Sequence, residues 1–386
     1  MNSKPPTIRR LRLRNYRSIR DETITFDNPL FLVGRNGSGK SNVVDALAFL
    51  KDCMNFQLRT AIEKRGGGIG IGHIDTSNDF PFVEISIELN LNIQFTLRLK
   101  VSRENDYTIE SEEAFIQESP SNGLFKDVNV KHWYKRNKNN LETNIQFLSP
   151  ELSEQGLILP ILSGIKPFSQ IIETIKSFSI HHINPQSIRI SDSQGVPESS
   201  ILDTDGSNIA GVLSRIKESS PINSWLAAIV QDMTVQSAKT INNRRSLFFE
   251  QSGKQWYTLN VSHGTLDALG VIVALHQDPA PSLVVIEEPE ANLHPGALAV
   301  IADLIQEASE RMQVVITTHS PELLDQKWIG PENLRVVTWE NGQTRVSPVS
   351  PQAQAALTDH LKRRYAGQLL RSNLLQAAPH KTDAAA

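Results

Sequence analysis

The stretch from Leu30 to Ser41, with the sequence LFLVGRNGSGKS, constrains the fold more than any other part of the chain. Its first four residues are apolar and predict a buried strand, and apolar residues recur at helical spacing between Asn42 and Asp52. The loop between them fits the pattern G-x-x-x-x-G-K-[ST], in which glycines let backbone N–H groups converge on phosphate oxygens. This strand–loop–helix order predicts a nucleoside triphosphate site.

The side chains of this loop have predictable tasks. Lys40 supplies a full positive charge beside the partial positive charge of the helix N-terminus, and the Ser41 hydroxyl would hold Mg²⁺. Arg17 is added because it lies near the chain's approach to the loop. The expected nucleotide-binding residues are Gly34, Arg35, Asn36, Gly37, Ser38, Gly39, Lys40, Ser41, Asn42 and Arg17.

The composition narrows the class of protein. The chain has 386 residues, 39% of them hydrophobic, and a net charge of −3, so any DNA contact would need a local patch. The single cysteine, Cys53, excludes an intramolecular disulfide and a multi-cysteine zinc site. No apolar run reaches the ~20 residues of a membrane helix, and no secretory signal is seen. The expected location is the cytoplasm, without membrane insertion.

Two stretches could form such a patch. Six arginines lie within the first twenty residues, on an alternating pattern that predicts a half-buried strand with one cationic face. Residues 131–140, KHWYKRNKNN, interleave cations with aromatic rings, which suits a nucleic-acid strand. A solvated strand face is the favoured explanation of the arginines, and an exposed hairpin tip explains residues 131–140 as well as a nucleic-acid contact does, so DNA stays open as a partner.

A pair of carboxylates provides the second strong signal. Four apolar residues, 283–286, predict a buried strand that delivers Glu287 and Glu288 at its carboxyl end, where parallel sheets present their ligands. Glu287 can reach the magnesium ion, and Glu288 can deprotonate a water for in-line attack on the γ-phosphate. Two adjacent buried acids would be costly without a cation and such a task.

Two further segments complete the candidate site. His319 follows the apolar strand predicted at 314–318 and can hydrogen-bond the γ-phosphate or the attacking water. Ser262 and the backbone of Gly264 are predicted at the start of a helix, which is again a phosphate-binding arrangement.

The order of these motifs resembles an ABC-type ATPase head, in particular the RecF, SMC and OLD-like group of prokaryotic AAA-family ATPases. The resemblance rests on GRNGSGKS, VSHGTL, LVVIEEPEANLHP and VVITTHS, together with the opening LRLRNYRSIRDETITF and the segment LDTDGSNIAGVLSRI. It implies an α/β P-loop NTPase fold with a mixed sheet, flanking antiparallel β-hairpins and a helical insertion.

A single ATPase domain is therefore expected along the chain. Residues 1–101 and 245–350 would form its nucleotide-binding core. Residues 102–244 would form an inserted helical and irregular lobe, and residues 351–386 a C-terminal helical tail.

The resemblance also implies residue roles. Glu287 would be the Walker B acid and hold Mg²⁺ with Ser41, Glu288 the catalytic base, and His319 the switch histidine. The D-loop would contain Asn292, Leu293 and His294. The signature motif would consist of Ser262, His263, Gly264 and Thr265, acting on ATP held by a second copy in a homodimer.

The chain departs from the family pattern at three of these positions. Glu287 stands where aspartate is usual, His294 where transporters have aspartate, and His263 where the signature has glycine. Gln94 is a candidate for the Q-loop glutamine.

Three functions are compatible with such a head. The favoured one is a dimerising ATPase that hydrolyses ATP and switches an effector protein, with a nuclease as one candidate, in DNA maintenance or defence against phage and plasmids. The alternative is the nucleotide-binding subunit of a membrane transporter, although EEPEANLHP and LRNYRS argue against it. A nuclease activity of its own is not expected, because about 40 residues after Val346 leave no room for the Toprim domain of OLD proteins.

Overall fold

The computed structural model describes residues 6–73, 82–90, 92–101, 106–117, 131–146, 153–216, 220–239, 244–359 and 364–379. It divides into two compact units. Unit 1 contains Met1–Asp27, Gly37–Phe178 and Val337–Val346, and unit 2 contains Asn28–Asn36, Ser179–Val336 and Ser347–Ala386.

The strands and helices follow one another along the chain in short runs of each kind. The strands are β1 (Ile8–Tyr16), β2 (Ile19–Thr25), β3 (Leu30–Val33), β4 (Val83–Leu89), β5 (Ile93–Val101), β6 (Tyr107–Gln117), β7 (Lys131–Asn137), β8 (Asn140–Thr143), β9 (Ser179–His181), β10 (Met233–Lys239), β11 (Arg245–Gln251), β12 (Lys254–Tyr257), β13 (Leu283–Glu287), β14 (Gln313–Thr318), β15 (Leu334–Glu340) and β16 (Gln343–Ser347). The helices are α1 (Lys40–Asn55), α2 (Leu58–Glu63), α3 (Gly68–Ile71), α4 (Phe168–Lys176), α5 (Pro185–Gln194), α6 (Ile209–Leu213), α7 (Ser220–Ile229), α8 (His263–Leu275), α9 (Pro295–Ser309), α10 (Pro351–Thr358) and α11 (Ala366–Arg371).

Unit 1 is built on an antiparallel sheet with the strand order β2-β1-β4-β5-β6-β7-β8. Buried and accessible residues alternate along β4 and β5, as the period of two in their sequence predicts. Helix α1 contributes its buried apolar residues, Val43, Leu47 and Leu50 among them, to the core of this unit.

Residues 107–143 differ from the expected irregular lobe, because β6, β7 and β8 extend the sheet that β4 and β5 begin. Strand β6 could not be recognised in the sequence, because an acid, Glu112, occupies one of its buried positions instead of an apolar residue. Glu112 is fully buried and accepts hydrogen bonds from Ile158 N, Leu159 N and the Tyr134 hydroxyl. Burial raises the pKa of Glu112.

The basic stretch 131–140 is a hairpin of β7 and β8, as one of its two interpretations predicted. Tyr134 and Arg136 are buried in unit 1, and Arg136 donates to the carbonyls of Lys138 and Gly156. The nucleic-acid interpretation is therefore wrong for these two side chains.

The N-terminal arginines face acids across neighbouring strands. Arg10 lies 3.2 Å from Glu88, and Arg12 donates two hydrogen bonds of 3.2 Å to Asp21. Arg14 lies 3.5 Å from Glu84. The cationic face of β1 is thus compensated by carboxylates, which favours the solvated-face interpretation.

Unit 2 is built on five parallel strands with the order β15-β3-β14-β13-β9, beside a three-stranded antiparallel sheet of β10, β11 and β12. Strands β3 and β14 are buried along their whole length, which explains the unbroken apolar sequence of β3 and the apolar centre of β14. One apolar cluster joins strand residues such as Val284 and Ile316 with Leu269 of α8 and Ile301 of α9. The carboxyl ends of the parallel strands therefore lie on one rigid edge.

Some local predictions in unit 2 are confirmed and one is wrong. His181 is buried and His182 is exposed, as expected for neighbours on a strand. The sequence predicts Asp205 or Ser207 as the N-cap of a helix that carries Ile209, Val212, Leu213 and Ile216. This prediction is wrong, because Asp205 accepts from Ser207 N in a turn and Asn208 occupies the N-cap position of α6. No helix within the described ranges is long and apolar enough to cross a membrane.

Candidate functional site

The carboxyl edge of the parallel sheet brings three predicted segments together in unit 2. The register pairs Val33 with Thr318 and Glu287 with Thr317, so β3, β13 and β14 end at the same level. The Gly34 amide donates to Thr318 O at 3.3 Å. Consequently the first residue of the glycine loop, the acid pair and His319 leave the sheet side by side.

The second half of the loop, in unit 1, requires its glycines. Gly37 and Gly39 have φ values of 79° and 101°, a region that side chains disfavour. A Cβ on Gly39 would lie 1.9 Å from Thr344 Oγ1, whereas one on Gly37 would meet no atom within 4 Å. Lys40 then begins α1, with its side chain 5% exposed. The loop thus leaves open space on its Gly37 side.

Two residues that the sequence did not reveal support this half of the loop. Thr344 Oγ1 donates to Ser38 O at 3.0 Å and lies 2.7 Å from Ser18 Oγ. Ser18 Oγ also accepts from Asn42 Nδ2 at 2.5 Å. Ser18 and Thr344 are 326 positions apart, so no local pattern could have linked them.

Arg17 has a structural partner within unit 1. Its Nε lies 3.0 Å from Asp45 Oδ2 in α1, and Asp45 also accepts from Tyr16 and Arg65. A role of Arg17 toward nucleotide stays a prediction.

Glu288 is held in an unusual backbone conformation. Its φ of 47° lies in the left-handed region, which costs a non-glycine residue of order 1–3 kcal/mol. The turn is fixed because the Glu288 amide donates to Thr317 O at 3.0 Å and contacts Thr317 Oγ1 at 3.2 Å. Its side chain is 32% exposed, which leaves the carboxylate accessible to water. Strained residues of this kind concentrate at functional sites.

Glu290 joins this turn to His319 and was missed in the sequence because it follows two more conspicuous acids. Its Oε1 accepts from the Thr318 hydroxyl at 2.7 Å and from the His319 amide at 2.9 Å, and its side chain is 7% exposed. His319 Nδ1 lies 3.4 Å from Glu290 and 3.6 Å from Glu288. Glu290 therefore positions the histidine beside the acid.

The predicted signature segment begins α8. Ser262 is exposed at the N-cap, and its Oγ accepts from Thr265 N at 3.2 Å, as the sequence predicts. His263 Nε2 lies 2.6 Å from Arg189 Nη1, so the ring nitrogen must accept this hydrogen bond. Arginine thus holds the histidine that replaces the usual glycine.

The predicted D-loop has two structural anchors. Asn292, with φ 56°, donates from Nδ2 to Asp267 Oδ2 at 2.8 Å. His294 is the N-cap of α9, where its Nδ1 accepts from Gly296 N at 3.1 Å. An imidazole nitrogen therefore provides the cap acceptor that an aspartate would supply at this position. Leu293 lies between them and is half-buried.

A cavity of about 240 Å³ lies beside the acids in unit 2. Glu287, Glu288, Asp267 and Asn292 contribute to its wall. Burial raises the pKa of Asp267 to about 6, although the hydrogen bond from Asn292 opposes the shift.

This pKa predicts the effect of Asp267→Asn on stability. Because the folded-state pKa lies above the ordinary 3.8, the ionised carboxylate opposes folding at high pH, and this penalty shrinks as pH falls from about 6 toward 3.8. Asparagine keeps an acceptor oxygen for Asn292 without the charge. We expect Asp267→Asn to raise the free energy of unfolding by up to about 3 kcal/mol at pH 8, and by about half as much at pH 5.

Urea unfolding of the nucleotide-free protein at the two pH values would measure this difference. Asp303→Asn, on the exposed side of α9, is the matched control and should change neither value. An equal gain at both pH values would contradict the assigned pKa.

The donor set fits a magnesium nucleotide. Ser41 offers a hydroxyl and Glu287 a carboxylate, both hard oxygen ligands, and Mg²⁺ usually completes its sphere with waters and substrate phosphates. Among the described residues no group of three or more His, Cys, Asp or Glu could hold a metal ion. Within the glycine loop, the hydroxyl oxygen of Ser38 is buried and has no hydrogen-bond partner.

The structure resembles solved SMC head domains. The SMC head bound to the C-winged helix domain of ScpA superposes with a TM-score of 0.56 at 15% identity, covering 90% of this chain and 99% of that chain. The Smc head domain with a coiled coil and joint from Pyrococcus yayanosii gives 0.51 at 11% identity, with 95% and 99% covered. These likenesses confirm the predicted α/β P-loop head with a mixed sheet and antiparallel hairpins.

The sequence comparisons identify the family. No curated protein matches the sequence. A family model described as "AAA domain, putative AbiEii toxin, Type IV TA system" matches residues 30–325, from the strand before the glycine loop to just past His319. The resemblance found in the motifs is thereby confirmed, and the chain belongs to this family of AAA ATPase domains.

Proposed function

We propose that the protein hydrolyses ATP and dimerises around it, and that this cycle switches a partner protein. The observation that carries the proposal is the shared end of β3, β13 and β14. There the glycine loop begins, and Glu288 is fixed in a left-handed turn beside His319.

Each side chain has a chemical task in this reaction. Lys40 and the amides of the loop bind the phosphates, and Glu288 accepts the proton of the attacking water. His319, oriented by Glu290, hydrogen-bonds at the γ-phosphate. Mg²⁺, held by Ser41 and Glu287, would neutralise charge on the phosphates when bound.

The exposed start of α8 supports dimerisation. Ser262 and His263, at the start of α8, are exposed on unit 2, and this helix N-terminus is proposed to bind the phosphates held by a second copy. The signature residues Ser262, His263, Gly264 and Thr265 would close on ATP held by the partner, with Asn292, Leu293 and His294 beside them.

The partner is proposed to be an effector protein in the cytoplasm. One similar SMC head is bound to a winged-helix domain, which supports a head that works through a second protein. The family description, with its putative toxin and toxin–antitoxin system, favours defence against phage or plasmids over general DNA maintenance. A nuclease as effector and DNA as ligand belong to the same proposal.

Ser262→Arg tests completion of the site by a second copy. We expect this variant to bind ATP as a monomer but to neither dimerise nor hydrolyse, because a long cation replaces the exposed cap. Mixing it with the equally inactive Lys40→Ala variant should restore up to about half of wild-type turnover, because a mixed dimer has one of its two sites intact.

ATPase rates of each variant alone and of the mixture, with size-exclusion profiles, provide the measurement. Ser372→Arg, at another exposed helix end, should leave turnover unchanged. Normal turnover of Ser262→Arg alone, or no recovery on mixing, would rule out completion in trans.

A further inference from the structure

The start of α8 and the D-loop meet at a tight contact within unit 2. Asn292 Nδ2 donates to Asp267 Oδ2 at 2.8 Å. Asp267 lies about one helical turn after Gly264 in α8. A Cβ on Gly264 would lie only 2.5 Å from Asn292 O, so glycine is needed for this approach. We call Gly264, Asp267 and Asn292 the seam.

Packing alone does not explain Asp267. Every other residue from Leu266 to Leu275 in α8 is apolar or glycine, and all of them are buried. Asp267 is 4% exposed, and burying an ionised carboxylate is costly even with one hydrogen bond. An apolar residue would serve the core better, so the acid at this position indicates a task beyond packing.

The seam is connected to the proposed catalytic base through a short, hydrogen-bonded turn. Ala291 N donates to Glu288 O at 3.0 Å, and Leu293 N donates to Glu290 O at 3.2 Å. Both ends of this turn, Glu288 and Asn292, have positive φ. Glu290 in turn holds the amide of His319. Because these hydrogen bonds hold the turn together, a displacement of Asn292 would also displace Glu288 and His319.

We propose that Asp267 is a positioning residue that clamps the D-loop onto the signature helix, so that engagement of Ser262 by a second copy's nucleotide aligns Glu288 of the same chain. This inference rests on the proposed function. Asp267 touches neither substrate nor metal in this scheme and acts through Asn292. The cavity walled by Glu288, Asp267 and Asn292 is the space in which this alignment takes place.

Removing either side of the contact should slow turnover without weakening ATP binding. We expect Asp267→Ala and Asn292→Gly each to lower kcat by about tenfold to a hundredfold with KM for ATP nearly unchanged, since the base is displaced while the phosphate site is intact. Glycine at 292 keeps the positive φ. The double variant should be no slower than the slower single variant, because both remove the same contact. Asp267→Asn keeps an acceptor and should retain most of kcat.

Amide hydrogen exchange in residues 288–293 of the nucleotide-free protein provides a second readout that needs no turnover. We expect faster exchange there in Asp267→Ala and wild-type exchange in Asp267→Asn. Asp303→Ala, on an exposed face, and Asn341→Gly, an exposed asparagine with φ 51°, are the matched controls and should change neither kcat nor exchange.

The outcomes separate the seam from the proposed function. Absence of ATP turnover in the wild type would refute the ATPase proposal, and the exchange data would still decide the seam. Unchanged exchange and kcat in Asp267→Ala, or losses that add in the double variant, would refute the seam and leave the ATPase proposal standing. Thermal unfolding shows whether a variant is folded. Asp267→Ala should remain folded, because it also removes a buried charge.

Discussion

Replacing Glu288 by glutamine is expected to lower the turnover of ATP by at least about a hundredfold while ATP binding is retained. Glutamine has nearly the same shape as glutamate but cannot accept a proton from the attacking water. The backbone turn should survive, because its hydrogen bonds to Thr317 come from the Glu288 amide and not from the side chain. ATP-bound dimers should therefore accumulate.

The environment of Glu288 sharpens this expectation. The left-handed backbone turns its side chain out of the strand, and the contact with His319 at 3.6 Å lies on one side of the carboxylate. A glutamine amide could still contact His319 from this position. Loss of turnover would then report the missing base rather than a misplaced histidine.

Phosphate release and size-exclusion profiles with and without ATP would test this expectation. Glu307→Gln, an exposed acid on α9, should behave as the wild type in both measurements. Wild-type turnover in Glu288→Gln would exclude this residue as the base, and a monomeric profile with ATP would separate hydrolysis from dimerisation.

Much of this site can be predicted from the sequence, because each part is a short segment whose structure depends on residues next to it in the chain. A short apolar run precedes a predicted functional residue in each of Leu30–Val33, Leu283–Glu287 and Gln313–Thr318, and all three are parallel strands with buried apolar residues. Parallel strands place their carboxyl ends together, so the meeting of Gly34, Glu288 and His319 needs no long-range information beyond the fold class. The N-cap at Ser262 is local in the same sense.

The supporting contacts could not be predicted because they join distant segments. Thr344 lies in β16, far along the chain from the glycine loop that it contacts. The hydrogen bond between Asn292 and Asp267 likewise forms only when the D-loop packs against α8. Strands β6 and β7 could not be recognised in the sequence for another reason. Glu112 and Arg136 are charged residues with fully buried side chains, satisfied by backbone partners, and hydrophobic periodicity cannot detect such positions.

Replacing Lys40 by alanine is expected to weaken ATP binding by about a hundredfold or more. Lys40 begins α1, directly after the glycines whose positive φ shapes the loop, and its ammonium carries a full positive charge at the start of this helix. The loop amides and the helix N-terminus carry only partial charges, and they cannot replace a charge-assisted contact to phosphate. Titration calorimetry with ATP and Mg²⁺ would measure the loss.

A folding defect can be told apart from a binding defect at this position. Because Lys40 is only 5% exposed, alanine leaves a small void, whereas Lys40→Met keeps the volume of the stem. Both variants should lose ATP affinity alike, and Lys40→Met should remain folded without nucleotide, because methionine keeps most of the volume of the lysine stem. Lys176→Ala, at the exposed end of α4, should bind ATP normally. Unchanged ATP affinity in Lys40→Met would refute the phosphate site at this loop, because a folded protein would then bind without the charge on which the site depends.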